Sequence, residues 1–273
     1  MKDLRQSPNY GKYMQAIGWS IGRKNGLQFY IRHFPILNNF IKIPRPQKPI
    51  NPQTIDSLAK KYHAFAVKVD FSPTKTLRLD LTSPLNQIQK QMKKDARYGI
   101  KKAKKNKIIV KESNDIEEFI KLWHQNALRR GFWIPLGKEI RSLYQTFDNK
   151  ALLLIASHYN NIYYCSKPLA GALIVIYEKT AYYFHAASTS EGRKLYAPYL
   201  LVWKAIKLTK GAGCQIFDFE GIYDERFPNK SWLGFTHFKK GFGGKEVEYP
   251  GAFIKFYNPL IATLRHVKRG FGL

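Results

Sequence analysis

The densest chemistry in this sequence is cationic. Lys90, Lys93, Lys94, Arg97, Lys101, Lys102, Lys104 and Lys105 stand within one short stretch, and Asp95 alone opposes them. The stretch reads as a basic helix over 90–107 with charge on all its sides. Double-helical RNA is held mainly through phosphate and 2′-hydroxyl contacts, which such a helix supplies. An anionic membrane surface would be held by the same charges, and a solvated helix face is the plain alternative. The whole chain agrees with this bias. Its 273 residues carry 46 Lys and Arg against 19 Asp and Glu, a formal charge of +27. A surface that repels itself to this degree calls for a neutralising partner. Carboxylates of interest are few. Asp70 closes FAVKVDF (Phe65–Phe71) and Asp218 lies in QIFDFEG. Each can hold an attacking ammonium, or can be an ordinary turn residue at a strand end. Cys165 and Cys214 belong to no CxxC or Cys/His cluster, so neither a zinc site nor a disulfide framework is supported. Reduced thiols fit a cytoplasmic protein.

The elements around these groups follow from periodicity. A short helix is expected near Tyr10–Gly18. GLQFYIRHF alternates as a half-buried strand does, and IPRPQKPINPQ is a proline loop. Thr54–Tyr62 reads as a helix and FAVKVDF as a strand. A second unit is expected from about Thr76, opening with the strand TLRLDL. Thr82 or Ser83 can cap the basic helix, with Pro84 just inside its start. IIVKES is a strand, Asn114 caps a helix from Asp115 to about Arg130, and a further helix lies near Lys138–Phe147. ALLLIAS, LAGALIVIY and TAYYFHAAS are three strands. APYLLVWKAIKLTKGAG is a helix ending in glycines, QIFDFEG is a strand, and FKKGFGGKEVEYPG is a glycine-rich turn followed by a strand. With 44% apolar residues the chain has material for a packed core. Domains of 1–74 and 75–250 are expected, with 251–273 a candidate to complete the first. MKDLRQSPNY carries no apolar leader. Runs such as Ala151–Ala156 fall far short of the ~20 residues of a membrane span. The expected location is cytoplasmic, or peripheral at the inner membrane face.

This order of elements resembles that of acyl-CoA N-acyltransferase (GNAT-like) domains, α/β (α+β) units with mixed, mostly antiparallel sheets flanked by helices. Such enzymes seat a pyrophosphate on free backbone amides of a glycine-rich turn at a helix N-terminus. Here that stretch is STSEGRKLYAPY (Ser188–Tyr199), with one glycine, a proline and large side chains. Coenzyme A is not expected as the donor.

Several segments resemble the Fem transferases that build peptidoglycan cross-bridges (FemA, FemB and FemX type). RQSPNYGKYMQAIGW (Arg5–Trp19) looks like the family's opening motif and KIPRP (Lys42–Pro46) like its proline loop. TKTLRLDL followed by ARYGIKKAKKNKIIV (Ala96–Val110) resembles its strand and basic helix. YAPY (Tyr196–Tyr199), IFDFEGI (Ile216–Ile222) and FKKGFGG…EYPG (Phe238–Gly251) follow in the family's order. The short link between Phe71 and Thr76, and the absence of a long charged helical hairpin, suit the compact FemX-like form.

The resemblance implies two GNAT-like domains, the first shortened. It implies aminoacyl-tRNA as donor and a muramyl pentapeptide, UDP-linked or lipid-linked, as acceptor, with neither coenzyme A nor metal. An amine of the stem peptide attacks the aminoacyl ester through a tetrahedral oxyanion. Lys239 matches the family's lysine assigned to that oxyanion, and Phe238 its partner beside the terminal adenosine or the ester. Arg23 falls where a phosphate-binding lysine lies, and Arg141 is the nearest match to a second phosphate clamp. Tyr144 and His185 align with sugar or phosphate positions. Tyr196 and Tyr199 replace the coenzyme A turn and suit stacking. Asp70 resembles the family's first-domain carboxylate, and Asp218 is the alternative for holding the ammonium. Arg97, Lys101, Lys102, Lys104 and Lys105 are the expected RNA contacts. Transfer to a different amine, and an RNA-binding protein without catalysis, are the rival readings.

Overall fold

The computed structural model describes residues 2–129, 136–158 and 167–258. The chain divides into two compact units, one of residues 1–74 with 249–273 and one of residues 75–248. The first unit opens with Ser7, whose hydroxyl accepts from the Tyr10 N–H and caps helix α1 (Pro8–Ala16). Strands β1 (Ser20–Lys24), β2 (Leu27–Phe34) and β3 (Asn38–Pro44) follow, then helix α2 (Pro52–Lys61) and strand β4 (Ala64–Asp70). Strands β3 and β4 are parallel, which requires a crossover, and α2 supplies it. Ile55, Leu58 and Ala59 of α2 pack on Ile41, Ile43 and Val67 of the sheet.

The second unit runs through β5 (Lys75–Asp80), α3 (Leu85–Gln91), α4 (Lys94–Lys105), β6 (Ile108–Glu112), α5 (Ile116–Arg129) and α6 (Gly137–Phe147). It continues with β7 (Ala151–His158), β8 (Pro168–Tyr177), β9 (Thr180–Ser188), α7 (Ser190–Lys194), α8 (Ala197–Gly211), β10 (Ile216–Gly221), α9 (Leu233–Lys240) and β11 (Lys245–Glu248). Strand β12 (Phe253–Phe256) then pairs with β4, so the first sheet among the described residues runs β1-β2-β3-β4-β12. The second runs β11-β5-β10-β9-β8-β7-β6, and its pairs are antiparallel except β9 with β10, which α8 connects. β8 is buried on both faces. Ala170, Ala172 and Ile174 lie in the cluster with α8, and a side chain at Gly171 would strike Phe119 of α5 on the other face. This is the mixed α/β, mostly antiparallel, helix-flanked class expected from the sequence.

Four local expectations are corrected. The basic stretch is two helices rather than one, because Met92 is extended and the Lys93 N–H donates to Gly241 O at 2.9 Å, starting α4 afresh. Neither Thr82 nor Ser83 caps α3. The Thr82 amide and hydroxyl both donate to Asp80 Oδ1, leaving Pro84 at the cap position. Asp115, not Asn114, caps α5 through the Glu118 N–H, and the end of that helix near Arg130 lies outside the described residues. The basic side chains do not surround α4, since Ala96, Gly99, Ile100 and Ala103 form a buried face. Cys214 is buried in the connection before β10, and Cys165 lies outside the described residues. Among the described residues no helix is long and apolar enough to cross a membrane.

Candidate functional site

In the second unit the sheet opens where β9 and β10 part. They pair only as Thr180–Tyr182 with Ile216–Asp218, and β9 continues to Ser188. β10 bulges between Asp218 and Gly221 against β5, with Glu220 in the left-handed region at φ 59°. The local cause is DFEG itself, for Asp218 Oδ1 accepts the N–H of Glu220 at 2.8 Å and folds the strand end back. Bulges of this kind re-aim side chains beside functional sites. Asp218 is fully buried, and its Oδ2 accepts from Arg78 Nε of β5 at 2.9 Å. Burial and the nearby Glu220 push the Asp218 carboxyl up, while Arg78 pulls it back. Gly244 explains the GFGG turn in part. It lies at φ 102°, and a side chain there would meet Arg78 O at 2.6 Å.

Lys239 reaches this opening from the last turn of α9, not from a loop. Its Nζ donates to Gly221 O at 2.6 Å and lies over the Phe235 ring. α9 is pinned beside β10 by the Tyr223 N–H donating to Thr236 Oγ1. Burial lowers the Lys239 ammonium to about 8, against the raising influence of Glu220 and Asp218. At neutral pH it is still mostly a cation with two N–H donors to spare. Burial lowers His185 to about 4 although Glu220 favours its charged form, so His185 is a neutral imidazole. It therefore meets a sugar or phosphate as a neutral hydrogen-bonding group rather than as a cation. Phe238 packs against Tyr199 at 4.9 Å and Phe242 at 5.3 Å. Tyr196, left-handed at φ 62°, lies beside Tyr199. The sequence reading missed Glu220 and Arg78. An acidic pair two residues apart at a strand end was the available signal for Glu220.

The turn before α8 bonds several of its amides internally. Gly192 N donates to Thr189 Oγ1, while the Arg193, Leu195 and Tyr196 amides donate to carbonyls of the same turn. Gly192 faces Leu169 O so closely that no side chain fits, and its glycine serves packing. On the far side of the unit Arg141 of α6 is not an open clamp, since its fork fits Glu117 at 2.6 and 2.7 Å. Tyr144, half-buried, lies one turn along α6. Arg97, Lys101, Lys104 and Lys105 are exposed on α4, and Lys102 is half-buried.

In the first unit Arg23 borders a cavity of about 270 Å³, with Lys2, Gln6, Lys24 and Gln28 in its wall. Its Nε and one terminal nitrogen point at Gln28 Oε1, each at 3.4 Å. Gln6 fixes this wall by donating to Gln28 O and Pro44 O and accepting from Gln28 N. Three cationic residues, Lys2, Arg23 and Lys24, line it and suit an anionic ligand, with Lys24 bonded to Ser57 Oγ. Asp70 accepts from Lys42 at 2.9 Å and forms an ion pair with Lys68 at 3.6 Å. Burial works upward, but these lysines and the Ser72 amide hold its carboxyl at about 2. So low a carboxyl stays ionised, and Lys42 and Lys68 already neutralise it.

A parallel strand pair splayed beside a half-buried lysine, on a mixed sheet flanked by helices, is a GNAT-like fold. The FemAB family model matches residues 41–166 and 159–268, and the chain belongs to that family. No curated protein sequence matches it. The crystal structure of FemX aligns at TM-score 0.80 and 15% identity, covering 96% of this chain and 94% of that one. The structure of L-PGS from Bacillus licheniformis aligns at TM-score 0.59 and 10% identity, covering 92% and 90%.

Proposed function

We propose that the protein transfers an amino acid from aminoacyl-tRNA to a stem-peptide amine of a muramyl pentapeptide, in cell-wall cross-bridge synthesis. The observation that carries this reading is Lys239, a half-buried cation held at Gly221 O in the opening between β9 and β10. The acceptor amine attacks the ester carbonyl and its C–N bond forms. The Lys239 ammonium stabilises the oxyanion, the C–O bond to the ribose breaks, and the proton lost by the amine ends on the ribose oxygen. Preorganised donors at such an oxyanion are worth ~3–4 kcal/mol. Asp218 is enclosed and paired with Arg78, so Glu220 is the carboxylate better suited to accept a hydrogen bond from the incoming neutral amine and orient it. Arg23 and Lys2 take a phosphate of the acceptor in the first unit. In the second unit Arg141 takes a phosphate only by exchanging Glu117 for it. The exposed cations of α4 take the phosphates of the RNA stem.

Coenzyme A is not the donor in this reading, since the Gly192, Arg193, Leu195, Tyr196 and Tyr199 amides are bonded within the protein and Pro198 has none. No step of the transfer needs a metal. The test is incubation with charged total tRNA and with UDP-linked or lipid-linked muramyl pentapeptide, read by product mass. A pentapeptide heavier by one or more aminoacyl residues supports the reading. Transfer only to another amine class would replace the acceptor, and RNA binding with no transfer would remove catalysis.

A further inference from the structure

Tyr98 is unlike the rest of α4. It is the one large hydrophobic residue of that helix among the exposed ones, with 53% of its surface open to solvent. Lys94, Lys101 and Lys102 stand four before, three after and four after it, the spacings that share a helix face. Its ring meets Tyr196 edge-on at 5.7 Å. From there rings continue inward, Tyr196 to Tyr199 at 6.0 Å and Tyr199 to Phe238 at 4.9 Å. Phe238 precedes Lys239. An aromatic line thus runs from the basic helix to Phe238, on the helix that carries Lys239, within one unit. Close packing holds the line in place. A side chain on Gly99 would strike the Tyr199 ring at 2.6 Å, so glycine lets α4 approach it. Lys93 N donates to Gly241 O at one end of α4, and Asn106 Nδ2 donates to Leu195 O at the other.

We propose that Tyr98 stacks on an unpaired nucleobase near the 3′ end of the RNA donor, guiding the strand along this line toward Lys239. The inference rests on the tRNA-dependent reading above and adds to it a site for the single-stranded end, distinct from phosphate contacts to the stem. Single strands bind by combining a cationic track with aromatic faces on which bases stack. Tyr98 supplies the face and Lys94, Lys101 and Lys102 the track. A tyrosine among lysines also suits a membrane interface, but a membrane contact gives no reason for rings leading inward to Phe238.

The test uses two 5′-labelled RNA hairpins with the same stem, one blunt and one carrying four unpaired 3′ nucleotides, read by fluorescence anisotropy. The wild-type protein is expected to prefer the overhang by about tenfold, as removal of one base-stacking ring typically costs. Tyr98→Ala is expected to erase that preference and leave blunt-hairpin affinity unchanged, while Tyr98→Phe keeps it. Lys104→Gln with Lys105→Gln is expected to weaken both hairpins alike. A preference that survives Tyr98→Ala overturns the proposal. So does equal binding of both hairpins by wild type, which leaves RNA binding itself standing. Binding of neither hairpin overturns the tRNA donor as well. If Tyr98→Ala weakens binding to phosphatidylglycerol vesicles and not to RNA, the ring belongs to a membrane surface and the proposal fails.

Discussion

Arg78→Ala should strand the carboxylate beneath the site. Asp218 has no exposed surface, and Arg78 Nε is its 2.9 Å partner. Removing one member of a buried pair typically costs ~3–5 kcal/mol, because the other charge stays buried without compensation. Arg78 is itself 31% exposed in its side chain, which sets the expectation at the lower end, ~3 kcal/mol. For a unit of this size each kcal/mol moves Tm by roughly 2–4 °C, so a fall of roughly 6–12 °C at neutral pH is expected. The loss should depend on pH. Without Arg78, burial and Glu220 raise the folded-state carboxyl above its unfolded value. A raised group contributes full stability below the unfolded pKa and loses it as pH rises through the folded one. The variant should therefore be closest to wild type near pH 4–5 and fall behind it toward pH 8. Differential scanning calorimetry across that range reads this, with Asp218→Asn as the second arm. In the Asn background Arg78→Ala should cost far less, since no charge is left behind. An equal cost in both backgrounds, or a wild-type-like Tm for Arg78→Ala at neutral pH, would refute the reasoning.

Three further outcomes follow from the same geometry. Transfer should need protonated Lys239 and should fall on the alkaline side through about pH 8, after correction for spontaneous ester hydrolysis. Lys239→Arg keeps its charge past that range, so its residual activity should lack this limb, and an unchanged limb would assign it to another group. Asp70, held at about 2 against an ordinary ~3.9, contributes ~2.5 kcal/mol at neutral pH. A depressed carboxyl loses its contribution as pH falls from its unfolded value through the folded one. Acid titration of wild type should thus show stability declining between about pH 4 and pH 2, and Lys42→Met should flatten that decline. Binding of tRNA should weaken steeply with salt, and changing Lys101, Lys102, Lys104 and Lys105 to Gln should reduce the slope by roughly 0.9 per lost phosphate contact. An unchanged slope would turn α4 away from RNA.

What was legible in the sequence was what one segment decides by itself. TAYYFHAAS reads as a strand by itself, and β9 occupies Thr180–Ser188 as expected. Asn51 and Pro52 start α2 two residues earlier than the apolar pattern suggested, within the spread of a fraying helix end. What depended on a distant partner was not legible. The break before α4 needs the Lys93 amide to find Gly241 O, more than a hundred residues away. The grip on Asp70 needs β3 and β4 to lie in parallel with Lys42 opposite Lys68, which no local pattern states. Lys239 was found through family motifs and not through charge, since 46 cationic residues make any single lysine invisible by composition. Its helix was missed because FKKGFGG reads as glycine turn, although Leu233–Lys240 completes two helical turns before the glycines begin.

The central claim is that Lys239 stabilises the transition state of aminoacyl transfer. Lys239→Met keeps the aliphatic stem and deletes the charge, and Lys240→Met is the internal control. Lys240 pairs with Glu246 of β11, so it shares the local field without reaching Gly221 O. Turnover of aminoacyl transfer to muramyl pentapeptide, measured for both variants at pH 7, is the deciding quantity. Lys239→Met is expected to lower kcat by about 10²–10³, or ~3–4 kcal/mol, with acceptor KM little changed. Lys240→Met is expected to stay within a few-fold of wild type. Equal losses in the two variants would assign the effect to the general field of α9, and full turnover in Lys239→Met would contradict the account.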